Sequence, residues 1–321
     1  MKRIAVMTSG GDAPGMNAAI RAVVRAGIDK GMEVYGINRG YEGLMEGDVV
    51  RLYRKDVGDI LDTGGTKLGT ARSELFRTAD GQDKAAEVLK RFEIEGIVVI
   101  GGNGSLTGAL KLAERGVTVM GLPGTIDNDL NYTDFTIGFD TAVSTVLDAI
   151  SKIRDTSSAH NRSAVIEVMG RDCGDIALYA GLAGGAEAVL IPEVDYDMDF
   201  ICNKISEGIE RQKKHSIIIK AEGSKGTTSD VTKEINERTG SDTKMVNLSY
   251  LQRGGNPTGQ DIMLATRTGA KAVELLAEGS ESMAVGIVDN KITAYPLADA
   301  LEMPKRFDVW EFLDLINMLS K

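Results

Sequence analysis

The chain has 321 residues, 42% of them hydrophobic, and a formal net charge of −10 at pH 7, a length that allows one large domain or two ordinary ones, each with a real core. That acidity argues against a nucleic-acid surface, so any anionic ligand must be met by local clusters of cations. The apolar runs are far shorter than a membrane span, the first residues enter a strand with no signal peptide or anchor, and only Cys173 and Cys202 occur, without metal-like spacing. The expectation is a cytoplasmic protein with two buried thiols and neither a membrane nor a nucleic acid as partner.

In chain order, a strand from Arg3 to Met7 runs into Thr8-Ser9-Gly10-Gly11-Asp12-Ala13-Pro14-Gly15, and a helix follows from about Met16 to Lys30 with apolar Ile20, Val23, Val24 and Ile28. A glycine-rich turn at that place lets backbone N–H groups approach a phosphate. Arg21 and Arg25 lie one turn apart and project from one face of the helix. After a strand at Val34 to Ile37 the pattern repeats: strand Gly96 to Ile100, turn Gly101-Gly102-Asn103-Gly104-Ser105, helix Leu106 to Arg115. Neither turn has the Lys-Ser/Thr ending of a P-loop, and neither is a clean GxGxxG with a downstream ribose acid, so neither alone establishes a nucleoside triphosphate.

The next apolar run, Val117 to Leu122, reads as a buried parallel strand. Pro123-Gly124-Thr125-Ile126-Asp127-Asn128-Asp129 then sets two carboxylates and a hydroxyl at a strand's carboxyl end, where open α/β sheets collect ligands. Aspartates this close need a cation or strong donors nearby, which suits metal-assisted proton abstraction. Alone, such a segment is more often a plain polar turn; the two glycine turns on the same sheet edge shift the balance to a site. Strand-like runs at Ser163 to Val168, Ala188 to Ile191, Ser216 to Ala221 and Met245 to Leu248, separated by segments of helical period, complete a doubly wound α/β plan. Only Gly223 to Ser229 looks loose, and no linker or repeat marks a domain boundary.

Five motifs in order, Gly10-Gly11-Asp12-Ala13-Pro14-Gly15-Met16-Asn17, Gly101-Gly102-Asn103-Gly104-Ser105, Pro123 to Asp129, Met169-Gly170-Arg171 and Gln252-Arg253-Gly254-Gly255, resemble those of the bacterial-type ATP-dependent 6-phosphofructokinases. The resemblance runs from Lys2 to the last helix. It implies two doubly wound, Rossmann-like lobes, 1–138 plus 251–301 for ATP and 139–250 plus 302–321 for fructose 6-phosphate, with the reactant cleft between them. Asp127 would then take the proton from the sugar 1-hydroxyl, and Thr125 and Arg171 would stabilise the transferring group. Gly11 would donate its N–H to the γ-phosphate and Arg72 would bridge phosphate oxygens, for which its fixed fork is suited. ATP would be held by Gly11, Arg72, Ser73, Gly102, Asn103, Gly104 and Ser105, with Mg²⁺ at Asn103 and Asp129.

For the sugar phosphate the resemblance implies a basic pocket of Arg162, Lys244, Tyr250 and Arg253, the first two from a neighbouring subunit of a homotetramer. Glu222, the Met169-Gly170 backbone, Thr125, Asp127, Asp129 and Arg171 complete that set. An effector pocket for ADP or phosphoenolpyruvate would comprise Arg21, Arg25, Arg54, Asp59, Arg154, Gly185, Glu187, Arg211, Lys213, Lys214 and His215. His160 is expected to be structural.

Three positions depart from the commonest family pattern. Lys244 replaces Arg and gives up bidentate geometry, Tyr250 replaces His and gives up positive charge, and Asn103 replaces Asp and gives up a charged magnesium ligand. They keep open a catalytically weakened paralogue that senses nucleotide or sugar phosphate. Pyrophosphate-dependent relatives typically carry Asp where Gly104 stands and Lys where Gly124 stands, and glycine at both leaves room for the α-phosphate of ATP.

Overall fold

The computed structural model describes residues 1–305 and 308–320. In chain order its elements are β1 (Arg3–Ser9), α1 (Met16–Asp29), β2 (Glu33–Ile37), α2 (Gly40–Glu46), β3 (Val49–Leu52), α3 (Ala79–Arg91), β4 (Gly96–Gly101), α4 (Asn103–Ala113), β5 (Thr118–Pro123), α5 (Phe139–His160), β6 (Ser163–Val168), α6 (Asp175–Ala183), β7 (Ala188–Leu190), α7 (Met198–Glu210), β8 (Ser216–Ala221), α8 (Thr228–Thr239), β9 (Thr243–Asn247), α9 (Gly259–Glu278), β10 (Met283–Val288), β11 (Lys291–Pro296), α10 (Leu297–Glu302) and α11 (Val309–Leu319). Short 3₁₀ turns occupy Arg54–Val57, Leu75–Arg77 and Ser249–Arg253.

The chain divides into two compact units, Met1–Thr141 with Arg253–Lys305, and Ala142–Gln252 with Arg306–Lys321. Positions 306, 307 and 321, within the second lobe's expected stretch 302–321, lie outside the described residues. The first unit holds a seven-stranded sheet in the order β11-β10-β5-β4-β1-β2-β3. Its central strands are parallel because their runs are apolar on both faces: Ile97, Val98, Val99 and Ile100 of β4 are all fully buried. Helices α1 and α9 pack closely, since a side chain at Gly269 would stand 3.0 Å from the Cβ of Ala22 and 3.1 Å from the Ala19 carbonyl. The second unit holds a four-stranded parallel sheet in the order β7-β8-β6-β9.

Strands β3, β10 and β11 were not expected. β3 and β11 are antiparallel edges whose residues are mostly half-buried or exposed, so no continuous apolar run announces them. The expected helix Leu106 to Arg115 in fact begins at Asn103, which puts Asn103, Gly104 and Ser105 in its first turn. No side chain caps it, so the usual start signal is missing. Within Gly223 to Ser229, Thr228 and Ser229 already belong to α8, capped by the Thr227 hydroxyl, which accepts from the Asp230 N–H.

Candidate active site

Three loops leave adjacent strands of the first sheet at one level. Ser9 of β1 lies opposite Gly101 of β4, and Gly101 lies opposite Pro123 of β5, so the Gly10-Gly11 turn, the start of α4 and the Thr125–Asp129 segment emerge side by side, with neighbouring strands about 4.8 Å apart. Glycine is required where they touch. At Gly101 a Cβ would lie 2.6 Å from both the Ser9 carbonyl and the Ser105 Cβ, and at Gly10, which has φ +89°, it would lie 3.0 Å from the Ser105 hydroxyl. Gly102 similarly faces the Thr125 side chain at 3.3 Å. The N-terminal amides of α4 therefore sit beside Thr125, on a helix end that favours negative charge. Tyr41 supports that end from beneath: its buried hydroxyl donates to the Ser105 carbonyl at 2.6 Å, and its ring stacks on Phe76 at 3.8 Å.

The carboxylate segment is clamped by the residues that follow it. Ile137 N–H donates to the Pro123 carbonyl at 2.7 Å, Thr136 Oγ1 donates to the Thr125 carbonyl at 2.6 Å, and Asn128 Oδ1 accepts the Thr136 N–H at 3.0 Å. Asn128 adopts φ 54°, a left-handed conformation that Asn tolerates better than most residues. Thr125 Oγ1 accepts the Asp127 N–H at 3.2 Å. Asp127 is 2% and Thr125 7% exposed, while Asp129 is half-buried and Asn103 exposed. The donors here, two carboxylates and an amide, are oxygen ligands of the hard type Mg²⁺ takes.

Arg72 is exposed and Ser73 half-buried in a segment tied to the first loop, because Thr70 Oγ1 donates to the Gly10 carbonyl at 2.7 Å and Thr8 Oγ1 to the Gly69 carbonyl at 2.9 Å. Arg253 lies in this first unit as well. Its guanidinium donates to the Asp12 carbonyl at 3.2 Å and covers Gly11, where a Cβ would come within 2.4 Å of it. Gly104 faces open space, with nothing within 4 Å of an added Cβ. Gly124 does not: a Cβ there would meet Ile100 Cγ2 at 2.8 Å and the Gly101 nitrogen at 3.1 Å. A side chain at 124 would therefore have to displace the Ile100 methyl on β4, so the open space that the donor argument needs is found at Gly104 and not at Gly124.

In the second unit, Arg171 is exposed with φ 53°, and its N–H donates to Glu222 Oε1 at 3.0 Å. A side chain at Gly223 would fall 1.9 Å from the Arg171 carbonyl, so the two loops are in backbone contact. The Met169 N–H donates to Oε1 of the fully buried Gln252 at 3.0 Å. Arg162 and Lys244 meet on Asp242, at 2.6 Å each, and the Lys244 and Arg162 hydrogen bonds hold that carboxyl below its usual range. Tyr250 is 79% exposed on a 3₁₀ turn.

The effector candidates divide between the units. In the first, Arg21 and Arg25 lie on α1, Arg54 pairs weakly with Asp29 at 3.5 Å, and Asp59 has φ 54°. Arg25 Nε is buried and lacks a hydrogen-bond partner. In the second, Arg154 donates to the Gly184 carbonyl beside Gly185, and buried Glu187 accepts the Ile217 N–H and pairs with Lys213. His215 shares a 2.8 Å hydrogen bond with the Ser158 hydroxyl, and burial lowers its pKa. Glu187, Arg211 and Lys213 line a cavity of 590 Å³, and Lys214 and His160 are exposed.

Sequence reasoning missed Tyr41 and Asp242, whose partners Ser105 and Arg162 lie far along the chain, and it gave Gln252 a place in a motif but no role. Both cysteines are buried and neither forms a disulfide. Cys173 nevertheless brings its sulfur within 4.8 Å of carboxylate oxygens of Asp175 and Glu193, a grouping that cysteine spacing alone could not suggest.

Residues 3–276 match the model of the family described as Phosphofructokinase. The chain is similar to the ATP-dependent 6-phosphofructokinase of Clostridium tetani, 57% identical over 308 residues covering 96% of each protein. It is equally similar to that of Halalkalibacterium halodurans, 57% identical over 309 residues, 96% of this chain and 97% of that one. Among solved structures, phosphofructokinase from Saccharomyces cerevisiae matches with a TM-score of 0.88 at 39% identity, covering 94% of this chain and 45% of that longer one. A pyrophosphate-dependent phosphofructokinase from Marinobacter aquaeolei matches over 99% of this chain and 91% of its own with a TM-score of 0.85, but at 21% identity, a likeness of fold alone.

Proposed function

The chain belongs to the phosphofructokinase family, and from that membership and the strand-end geometry we propose that it transfers the γ-phosphoryl group of ATP to the 1-hydroxyl of D-fructose 6-phosphate, giving fructose 1,6-bisphosphate and ADP in glycolysis. The observation that carries the reading is the level arrangement of the Gly11 turn, the N-terminus of α4 and the buried Asp127 on three neighbouring strands. Phosphoryl transfer needs positioning and neutralisation of charge more than covalent chemistry. As the sugar O1 bonds to phosphorus, its proton passes to Asp127, and the bridging oxygen of ADP keeps the electron pair of the broken P–O bond. A carboxylate suffices as base because the hydroxyl becomes acidic only as that bond forms.

Gly11 and the first amides of α4 donate to phosphate oxygens, and Thr125 and Arg171 stabilise the transferring group. Asp129 and Asn103 would hold Mg²⁺, which would supply charge neutralisation when bound with the nucleotide. Arg253, Arg162, Lys244 and Tyr250 meet the 6-phosphate, with Arg162 and Lys244 serving a neighbouring subunit of a homotetramer. Asp242, which holds both cations, preorganises them and must be displaced or shared when the phosphate arrives. The open space at Gly104 favours ATP over pyrophosphate. Arg154, Gly185, Glu187 and Lys213 form the core of the effector site, for ADP or phosphoenolpyruvate.

A coupled assay with fructose 6-phosphate, run with ATP and then with pyrophosphate, tests the reading. ATP should support turnover and pyrophosphate should not. Asp127→Ser should lower kcat by about 10²–10⁴-fold while ATP and fructose 6-phosphate still raise its melting temperature. Comparable turnover in the variant would remove Asp127 from the base role.

A further inference from the structure

Lys220 is the one fully buried lysine among the described residues, at 1% exposure, on a strand whose preceding Ile217, Ile218 and Ile219 are completely buried. Its register partners are Leu190 on β7 and Glu167 on β6. Glu167 does not pair with it: Oε2 accepts the Thr228 hydroxyl, and Oε1 accepts the Asn247 amide at 2.5 Å. The ammonium instead donates to two backbone carbonyls, Ala221 at 3.3 Å and Ser224 at 3.2 Å. Burial lowers its pKa. A buried cation whose hydrogen bonds go to backbone carbonyls, with the Glu167 charge acting on it from the neighbouring strand without an ion pair, is a costly way to fill a strand position that an apolar residue would fill well.

What the amine holds is a turn. The carbonyls of Ala221 and Ser224 are its two ends, and Ser224 closes it again with its N–H and hydroxyl, both donating to the Ala221 carbonyl at 3.0 and 2.9 Å. Between the ends stand Glu222, whose carboxylate accepts the Arg171 N–H, and Gly223, against which the Arg171 carbonyl packs. Lys220 thus reaches, through one four-residue turn, both the carboxylate and the loop that the site assigns to the sugar phosphate and the transferring group.

We propose that Lys220 is a positioning residue for sugar-phosphate binding, its buried amine pinning the Ala221–Ser224 turn so that Glu222 and Arg171 are presented together. The inference rests on the assignment of Glu222 and Arg171 made above. The test uses the full-length enzyme and steady-state kinetics with fructose 6-phosphate and ATP varied separately. Lys220→Met should raise KM for fructose 6-phosphate by roughly tenfold, the loss expected when a charged hydrogen-bonded constraint is removed. Its kcat and KM for ATP should move less than about threefold, and its melting temperature should hold or rise, because an apolar chain replaces a buried cation.

A wild-type KM for fructose 6-phosphate in Lys220→Met overturns the proposal. Should that variant not fold, Ser224→Ala removes a second closure of the same turn with little change of volume, and it too should raise KM for the sugar phosphate alone; a wild-type value there overturns the proposal equally. Glu222→Gln separates the two levels. If it leaves KM unchanged, the substrate assignment itself fails. If it raises KM while Lys220→Met does not, only the role of Lys220 fails.

Discussion

Asn103 opens α4, exposed, with its backbone carbonyl accepting the Thr107 hydroxyl at 2.9 Å. Its side chain stands exposed in the first turn of the helix, at the end that favours negative charge. Asn103→Asp should cost no stability, since an acidic residue in a first turn contributes about 0.3–1 kcal/mol favourably, and should add a charged oxygen for Mg²⁺. The expected outcome is a higher kcat and a lower magnesium concentration for half-maximal rate, with KM for fructose 6-phosphate changing less. Magnesium titrations of both proteins at fixed ATP check it, and an unchanged or lower rate in the Asp variant would show that the neutral amide is already accommodated.

Between whole elements, the joint of α5 and α9 offers a pH-dependent measurement. Asp261, 2% exposed in the first turn of α9, accepts the Gly138 N–H at 2.8 Å, the Thr141 N–H at 2.8 Å and the Thr141 hydroxyl at 2.5 Å. Burial nevertheless pushes its pKa from the usual 3.8 up to about 6, with the nearby Asp140 charge adding to the shift. Between those values the folded protein keeps a proton that the unfolded chain releases. Stability should therefore fall as pH rises from about 4 to about 6, by up to about 3 kcal/mol, and stay at the lower level above that window. Chemical unfolding of wild type and Asp261→Asn across the window measures it: the slope should vanish in the variant, and equal slopes would assign the effect to other groups.

The elements also differ in how legible they were. The parallel strands could be read because burial on both faces writes an unbroken apolar run, as in Gly96–Gly101. Met283–Val288 was passed over although it too is an apolar run, and its partner Lys291–Pro296 could not be read because that edge strand mixes Lys, Thr and Tyr on half-covered faces. Asp127 could be read because it follows such a run. The placement of the Arg253 guanidinium over Gly11 could not, because a long side chain can reach several places and sequence does not choose among them. The contact that a side chain at Gly124 would make could not be read either, because its neighbour Ile100 belongs to another strand.

On the scale of the whole molecule the proposed regulation becomes measurable. The second-unit cluster joins Arg154, Glu187, Lys213 and His215 through carbonyls and a buried carboxylate, and a ligand taking over those cations would have to break the Lys213–Glu187 pair. ADP or phosphoenolpyruvate should shift fructose 6-phosphate affinity by a coupling of about 1–3 kcal/mol, and by linkage the sugar phosphate should shift effector affinity equally. Paired titrations check the reciprocity. Arg154→Ala should weaken effector binding at least about tenfold while leaving KM for fructose 6-phosphate without effector close to wild type, and unaltered effector binding would remove Arg154 from the site.

The first unit is discontinuous in sequence: β10, which pairs with β5, and α9, which packs on α1, both lie beyond residue 252. During synthesis the ribosome therefore finishes β5 with one flank unpaired, then makes the whole of the Ala142–Gln252 stretch before the strand that covers that flank exists. The second unit, apart from α11, is free to fold on the nascent chain while the first waits, its apolar α1 face without α9. Strand β10 is thus made only after the whole of the Ala142–Gln252 stretch, and a premature stop after residue 252 leaves β5 with an exposed edge of the kind that recruits other chains.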